Sequence, residues 1–135
     1  MPAPVTRQKG AILSAFTDAR TQVFVSAYLP LPGVSPSFDQ LSSNYPAQKA
    51  LQMILRRALD DFEASLESGS IVDLPQNYAA DPRTVIQTSR IMPLELVEIA
   101  RAHFDPLGFE SARSFGLKMA TAALASFFAR ENKRR

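Results

Sequence analysis

Seven apolar residues, Leu51, Ile54, Leu55, Ala58, Leu59, Phe62 and Leu66, recur at steps of three and four and give the chain its most regular pattern. That spacing predicts a helix buried along one full face, opened by Pro46 in its first turn and ended by Ser68-Gly69-Ser70. Upstream, Thr21 to Leu29 is rich in β-branched and aromatic residues and is stopped by Pro30, which predicts a strand. Its alternation puts Val23, Val25, Ala27 and Leu29 on one small apolar face and Gln22, Phe24, Ser26 and Tyr28 on a mixed one. The prolines at 30, 32 and 36 and Gly33 predict an extended loop. Ser35 and Pro36 then cap and open a short helix to about Ser43, broken by Asn44, a residue that tolerates a left-handed helix end.

The second half follows the same order. Arg83 to Met92 is a β-prone run stopped by Pro93, Leu94 to Phe104 a short amphipathic helix, and Gly108 its end. Ser111 caps a long helix carrying Phe115, Met119, Ala122, Ala123, Phe127 and Phe128. Leu29-Pro30 and Met92-Pro93 lie 63 residues apart, whereas Asn44-Tyr45 and Gly108-Phe109 lie 64 apart, as do Leu51 and Phe115. Strand, helix, helix therefore occurs twice. The expected organisation is a flexible arm and short helix over 1–20, a first repeat over 21–67, a connection over 68–82, and a second repeat with a basic tail over 83–135.

A lone strand with two helices cannot bury its own apolar face, so each copy needs the other. Antiparallel pairing of the two strands about a pseudo-twofold axis would place one ribbon face on the helices and leave the other in solvent. The expected fold class is accordingly α+β and mostly helical.

Composition narrows the chemistry. The 135 residues include no Cys and one His, which excludes disulfides, thiolate zinc sites and multi-histidine metal centres and points to a reducing, cytoplasmic setting. His103 has no nearby nucleophile or paired carboxylate, Asp60-Asp61 reads as a solvated helix face, and the five glycines form no phosphate loop, so neither catalysis nor a cofactor is expected. No run approaches the length of a membrane span, and Met1 to Val5 lacks the order of a signal peptide. The net charge of +2 hides an imbalance, since residues 83–135 hold nine Lys or Arg against five Asp or Glu. The tail from Arg130 to Arg135 suits a polyanion or, equally, a solvated helix end.

The segment from Arg90 to Arg101, with Pro93-Leu-Glu-Leu96 at its centre, and the turn Gly108-Phe-Glu-Ser111 resemble the ribbon-helix-helix family of DNA-binding proteins. Both copies lie on one chain, which is similar to the tandem arrangement in conjugative relaxosome proteins and implies a single-chain pseudo-dimer, two β-α-α repeats sharing one ribbon. More closely, residues 11 to 135 resemble the DNA-binding part of the small accessory proteins encoded in virC operons of crown-gall plasmids. That resemblance implies double-stranded DNA as partner, a monomer working beside a relaxase, and support of T-DNA transfer. The proline-rich loop of the first repeat departs from the Pro-x-Glu-Leu pattern.

If the residue before each proline points inward, Gln22, Phe24, Ser26 and Tyr28 face DNA from the first strand, and Gln87, Ser89 and Ile91 from the second. This phase turns Arg90 inward. Either a bulge directs Arg90 and Thr88 outward or Arg90 sits at the ribbon edge with its head in solvent, and Arg90 is expected to reach DNA. Phe24 and Tyr28 serve as readers or as a second apolar contact. For phosphates the resemblance implies Ser111, Ala112 and Arg113 at the start of the last helix and Ala47, Gln48 and Lys49 at the matching positions. Arg113 and Lys49 are otherwise members of solvated first turns. Arg7, Lys9 and Lys133 to Arg135 would add backbone contacts that weaken with salt. The competing class is a repressor or antitoxin-like interaction module.

Overall fold

The chain runs β1 (Arg20–Pro30), α1 (Pro36–Leu41), α2 (Ala47–Ser68), a 3-10 turn (Ser70–Asp73), β2 (Ala80–Pro93), α3 (Leu94–Phe104) and α4 (Ala112–Lys133) in a computed structural model that describes residues 19–133. The short helix expected before Arg20, and the basic residues Arg7, Lys9, Arg134 and Arg135, lie outside the described residues. β1 and β2 pair antiparallel, Arg20 opposite Pro93 through Tyr28 opposite Val85. The register then shifts, so that Leu29 faces Asp81.

Strand alternation sets the two faces. Val23, Val25, Ala27, Ile86 and Met92 are buried against the helices, where they join Leu51, Ile54, Leu55, Leu59, Phe62, Phe115 and Met119 in one core. The apolar stripe of α2 is buried along its whole length, from Ala50 to Leu66, as its spacing predicts. Gly69 closes α2 at φ 74°, a left-handed conformation that a glycine adopts without cost, and donates its N–H to the Leu66 carbonyl.

Ser35 caps α1 by accepting the Phe38 N–H at 3.0 Å. The helix ends at Leu41, earlier than expected, because the N–H groups and hydroxyls of Ser42 and Ser43 turn back onto the Phe38 and Gln40 carbonyls. Asn44 does not adopt the left-handed conformation, since among the described residues only glycines have positive φ. The far end of the chain secures this region. Glu131 of α4 accepts hydrogen bonds from the Ser35 hydroxyl at 2.6 Å and the Ser37 N–H at 3.1 Å, and Asn132 donates to the Val34 carbonyl at 3.0 Å.

The expected architecture, a ribbon-helix-helix pseudo-dimer of two like repeats, is corrected by the structure. The described residues form a single-chain β-α-α-β-α-α unit with one two-stranded sheet and four helices, and its halves are not copies. α1 has 6 residues and α3 has 11. α4 is buried nearly all round through its middle, whereas α2 buries one face. Gly116 lets α4 lie directly on the backbone of β1 at Phe24. Sixty-four residues earlier stands Gln52, which with Arg56 is exposed on α2, and α2 meets β2 at few points. Side-chain bulk where the other half has Gly116 and Ala120 keeps the second helix–strand contact open.

Candidate nucleic-acid interface

Strand phase decides what the ribbon presents. Gln22 and Phe24 on β1 and Gln87, Ser89 and Ile91 on β2 all point away from the helices and are exposed, Phe24 to 63% and Ile91 to 56%. The Gln22 amide donates to the Ser89 hydroxyl at 3.1 Å across the strands. These five side chains form a continuous polar and apolar surface of the kind that meets base edges and thymine methyls. Arg20, at the start of β1, continues the same alternation and is exposed. Beginning the strand at Thr21 hid it, although the even-numbered spacing through Gln22 already pointed to it.

Ser26 and Tyr28 share that face but are less available. Ser26 is 9% exposed at the base of a hollow of about 310 Å³ that also contains Phe24, Gln87, Thr88, Ala112 and Arg113. Tyr28 is half-buried, its carbonyl accepting the Tyr78 hydroxyl at 2.6 Å. Burial raises the Tyr78 phenol well above the usual tyrosine range. Beyond Tyr28 lies a second hollow, of about 420 Å³, which the half-buried His103 lines beside Tyr78 and Lys118.

Arg90 departs from its expected place. No bulge turns it outward; the register irregularity is at Tyr28 and Leu29, the other end of the ribbon. Its guanidinium points toward α2 and donates to Glu63 at 2.6 Å and Asp60 at 2.6 Å. Burial pulls its pKa down, but the bonds to Asp60 and Glu63 outweigh that and hold it above the ordinary arginine value. The physical reason is the inward phase itself, since an arginine on the helix side of the ribbon needs carboxylates and α2 supplies two. Asp60 and Asp61 are thus engaged rather than merely solvated, Asp61 accepting from Arg130 at 2.8 Å. Arg130, Glu131 and Asn132, read from sequence as part of a basic tail, bond within the fold.

The two proposed phosphate sites are unequal. Ser111 caps α4 by accepting the Ser114 N–H at 3.1 Å, and Ala112 and Arg113 open the helix beside the ribbon hollow. Glu110 next to them accepts from Lys118 and Ser114, which holds its carboxyl below the usual range. Gln48 and Lys49 are exposed in the first turn of α2 but do not line that hollow, and α2 has no side-chain cap at Pro46. Gln52, Arg56, Thr88 and Ser89 line a cleft of about 320 Å³ on the α2 side.

Among the described residues there is no group of three or more His, Asp or Glu placed to hold a metal ion, and no helix long and apolar enough to cross a membrane. Residues 6–135 match the sequence model of the family described as VirC2 protein. The chain belongs to the VirC2 family. It is similar to the VirC2 protein of Rhizobium rhizogenes, 52% identical over 126 residues that cover 90% of this chain and 62% of that protein. Similarity to the VirC2 protein of Agrobacterium fabrum is 47% over 147 residues, covering 96% of this chain and 73% of that one. VirC2 of Rhizobium radiobacter is 52% identical over 120 residues, 86% of this chain and 59% of its own length. The chain therefore spans about three fifths of the Rhizobium relatives it matches. The crystal structure of plasmid pTiC58 VirC2 shares the fold, with a TM-score of 0.82 and 52% identity over 84% of this chain and 98% of that one. The resemblance of residues 11 to 135 to virC-operon proteins is thus membership of the VirC2 family.

Proposed function

We propose that the protein binds double-stranded DNA by seating the outward face of β1 and β2 in the major groove. The observation that carries this reading is the exposure of Gln22, Phe24, Gln87 and Ser89 side by side on one ribbon face, bordered by the start of α4. A two-stranded ribbon fits the major groove, where glutamine amides pair with adenine edges, hydroxyls pair with any base, and an aromatic side chain packs on a thymine methyl. The free N–H groups of Ala112 and Arg113, with Ser111, take a backbone phosphate, and Gln48 and Lys49 contact the strand on the other side. Ser26 lines the hollow beside Ala112 and Arg113, and Tyr28 lines the neighbouring one. Arg90 acts as a structural anchor beneath this surface.

Membership of the VirC2 family supports a place for this binding in T-DNA or conjugative DNA processing and transfer, as an accessory factor without catalysis or cofactor, beside a relaxase on the same DNA in the bacterial cytoplasm. One chain supplies both strands, so the binding unit is a monomer.

Fluorescence anisotropy of a labelled duplex at several salt concentrations tests the reading. Tight binding at low salt that weakens steeply as salt rises is expected, with Gln22→Ala/Gln87→Ala at least about tenfold weaker. Absence of binding at low salt sinks it.

A further inference from the structure

The turn between α3 and α4 holds two large apolar side chains out in water. Leu107 is 77% exposed and Phe109 87%, the highest values of any large hydrophobic side chain among the described residues. The turn that carries them is held by hydrogen bonds to a buried carboxylate. The Asp105 carboxylate, only 7% exposed, accepts the Phe109 N–H at 3.0 Å and the Glu110 N–H at 3.2 Å. Gly108, at φ 76°, donates to the Asp105 carbonyl at 3.0 Å. Arg101 bonds Asp105 at 3.4 Å and lies 4.4 Å over the Phe115 ring, which ties the turn to the core. A rigid backbone therefore presents Phe109 to solvent at low entropic cost to a partner.

Position says which partner. Phe109 precedes Ala112 by three residues, a reach of at most about 11 Å, and Ala112 lines the ribbon hollow. Arg113 and the Ser111 cap lie on the same short stretch, and Lys118 pairs with the Glu110 carboxylate beside them, so the apolar pair borders a helix start that can take a phosphate. On the other side of the ribbon the matching turn carries Tyr45, 43% exposed, two residues before the start of α2. An aromatic side chain thus precedes both long helices.

We propose that Leu107 and Phe109 are an apolar wedge that enters the DNA minor groove adjoining the major groove occupied by the ribbon, across the phosphate held at the start of α4, and bends the duplex. This rests on the DNA-binding reading above. An apolar side chain pressed into a minor-groove base step partly unstacks it and kinks the duplex toward the major groove. Here the minor groove at the wedged step faces the protein, so the kink bends the flanking duplex away from the ribbon, and Tyr45 before α2 provides a weaker second contact.

The test is fluorescence energy transfer between the ends of a labelled duplex of about 30 base pairs, read together with anisotropy for affinity, on the full chain. The wild type is expected to raise transfer on binding. Leu107→Ala/Phe109→Ala, which removes mostly exposed atoms, is expected to bind within roughly tenfold of wild type but to lose most of the rise, and Phe109→Leu to keep part of it. Failure of the wild type to bind duplex overturns the DNA reading itself. Binding without a rise in transfer, or a rise that the double variant keeps in full, overturns the wedge alone. So does a wild-type dimer in sedimentation that the double variant abolishes, because the turn would then be a contact between copies.

Discussion

Gly116 lies so close to Phe24 that a methyl group built on it would come within 1.9 Å of the Phe24 carbonyl oxygen and 3.2 Å of the Val25 Cα. Both are backbone atoms of β1, which cannot rotate away. Gly116→Ala should therefore push α4 off the strand and destabilise the protein by about 1–3 kcal/mol net, even though alanine gains about 1 kcal/mol in helix propensity. Urea unfolding measures it; a variant as stable as the wild type would contradict the contact.

Arg90 separates stability from DNA binding. Arg90→Met removes a half-buried cation from Glu63 and Asp60, and discounting for the exposure of Asp60 the loss is about 1–3 kcal/mol. A double-mutant cycle with Glu63→Gln should show the coupling, while duplex affinity at a temperature where the variant is folded should stay within about twofold of wild type. A loss of DNA binding with stability unchanged would return Arg90 to the reading surface.

Salt dependence distinguishes the two helix starts. Arg113→Gln should lower the slope of log affinity against log salt by about 1, the value for one phosphate contact. Lys49→Gln, on a first turn away from the hollow, should lower it by less than half as much. Equal effects would mean that both sides of the ribbon grip alike.

Acid titration reports on Glu110. Its folded-state pKa lies below the ordinary glutamate value, chiefly through the Lys118 hydrogen bond and then that of Ser114. A lowered carboxylate pKa contributes stability that is present above the unfolded value, about 4.3, and is lost as pH falls through the folded one. The difference in urea midpoint between wild type and Glu110→Gln should be constant from pH 7 to about 5 and vanish progressively below about 4. A difference that grows on acidification would reverse the assignment.

Glu131 ties the last turn of α4 to the start of α1 through Ser35 and Ser37. Glu131→Ala should cost about 1.5–3 kcal/mol, the range for hydrogen bonds to a charged group, and loosen α1 first. Amide hydrogen exchange at Phe38 and Asp39 would register it, and unchanged protection there would count against the link.

Periodicity made the strands, the long helices and the ribbon phase legible, because each rests on a local pattern of two or of three and four residues. Val23, Val25 and Met92 turn inward and Gln22, Phe24 and Gln87 outward as alternation requires. What escaped depends on contacts distant in sequence. The carboxylates that receive Arg90 come from α2, 27 and 30 residues away. Glu131 meets Ser35 across 96 residues, so its place among basic neighbours suggested a tail where there is a latch. The likeness of the halves was overread for a related reason. Landmark spacing records the order of elements but not side-chain volume, and Gly116 against Gln52 is a difference of volume that sets how each helix lies on its strand.

The Glu131 latch also bears on how the protein is made. β1 is synthesised before the segments that hold it, since its partner strand begins at Ala80, its covering helix at Ala112, and the cap of α1 is completed only at Glu131. Nearly every contact that holds β1 in place is thus non-local, a topology that slows folding. The first ribbon strand, with its apolar face, has nothing to pair to until β2 and α4 have followed it, which makes it the segment with most to gain from a chaperone on the nascent chain.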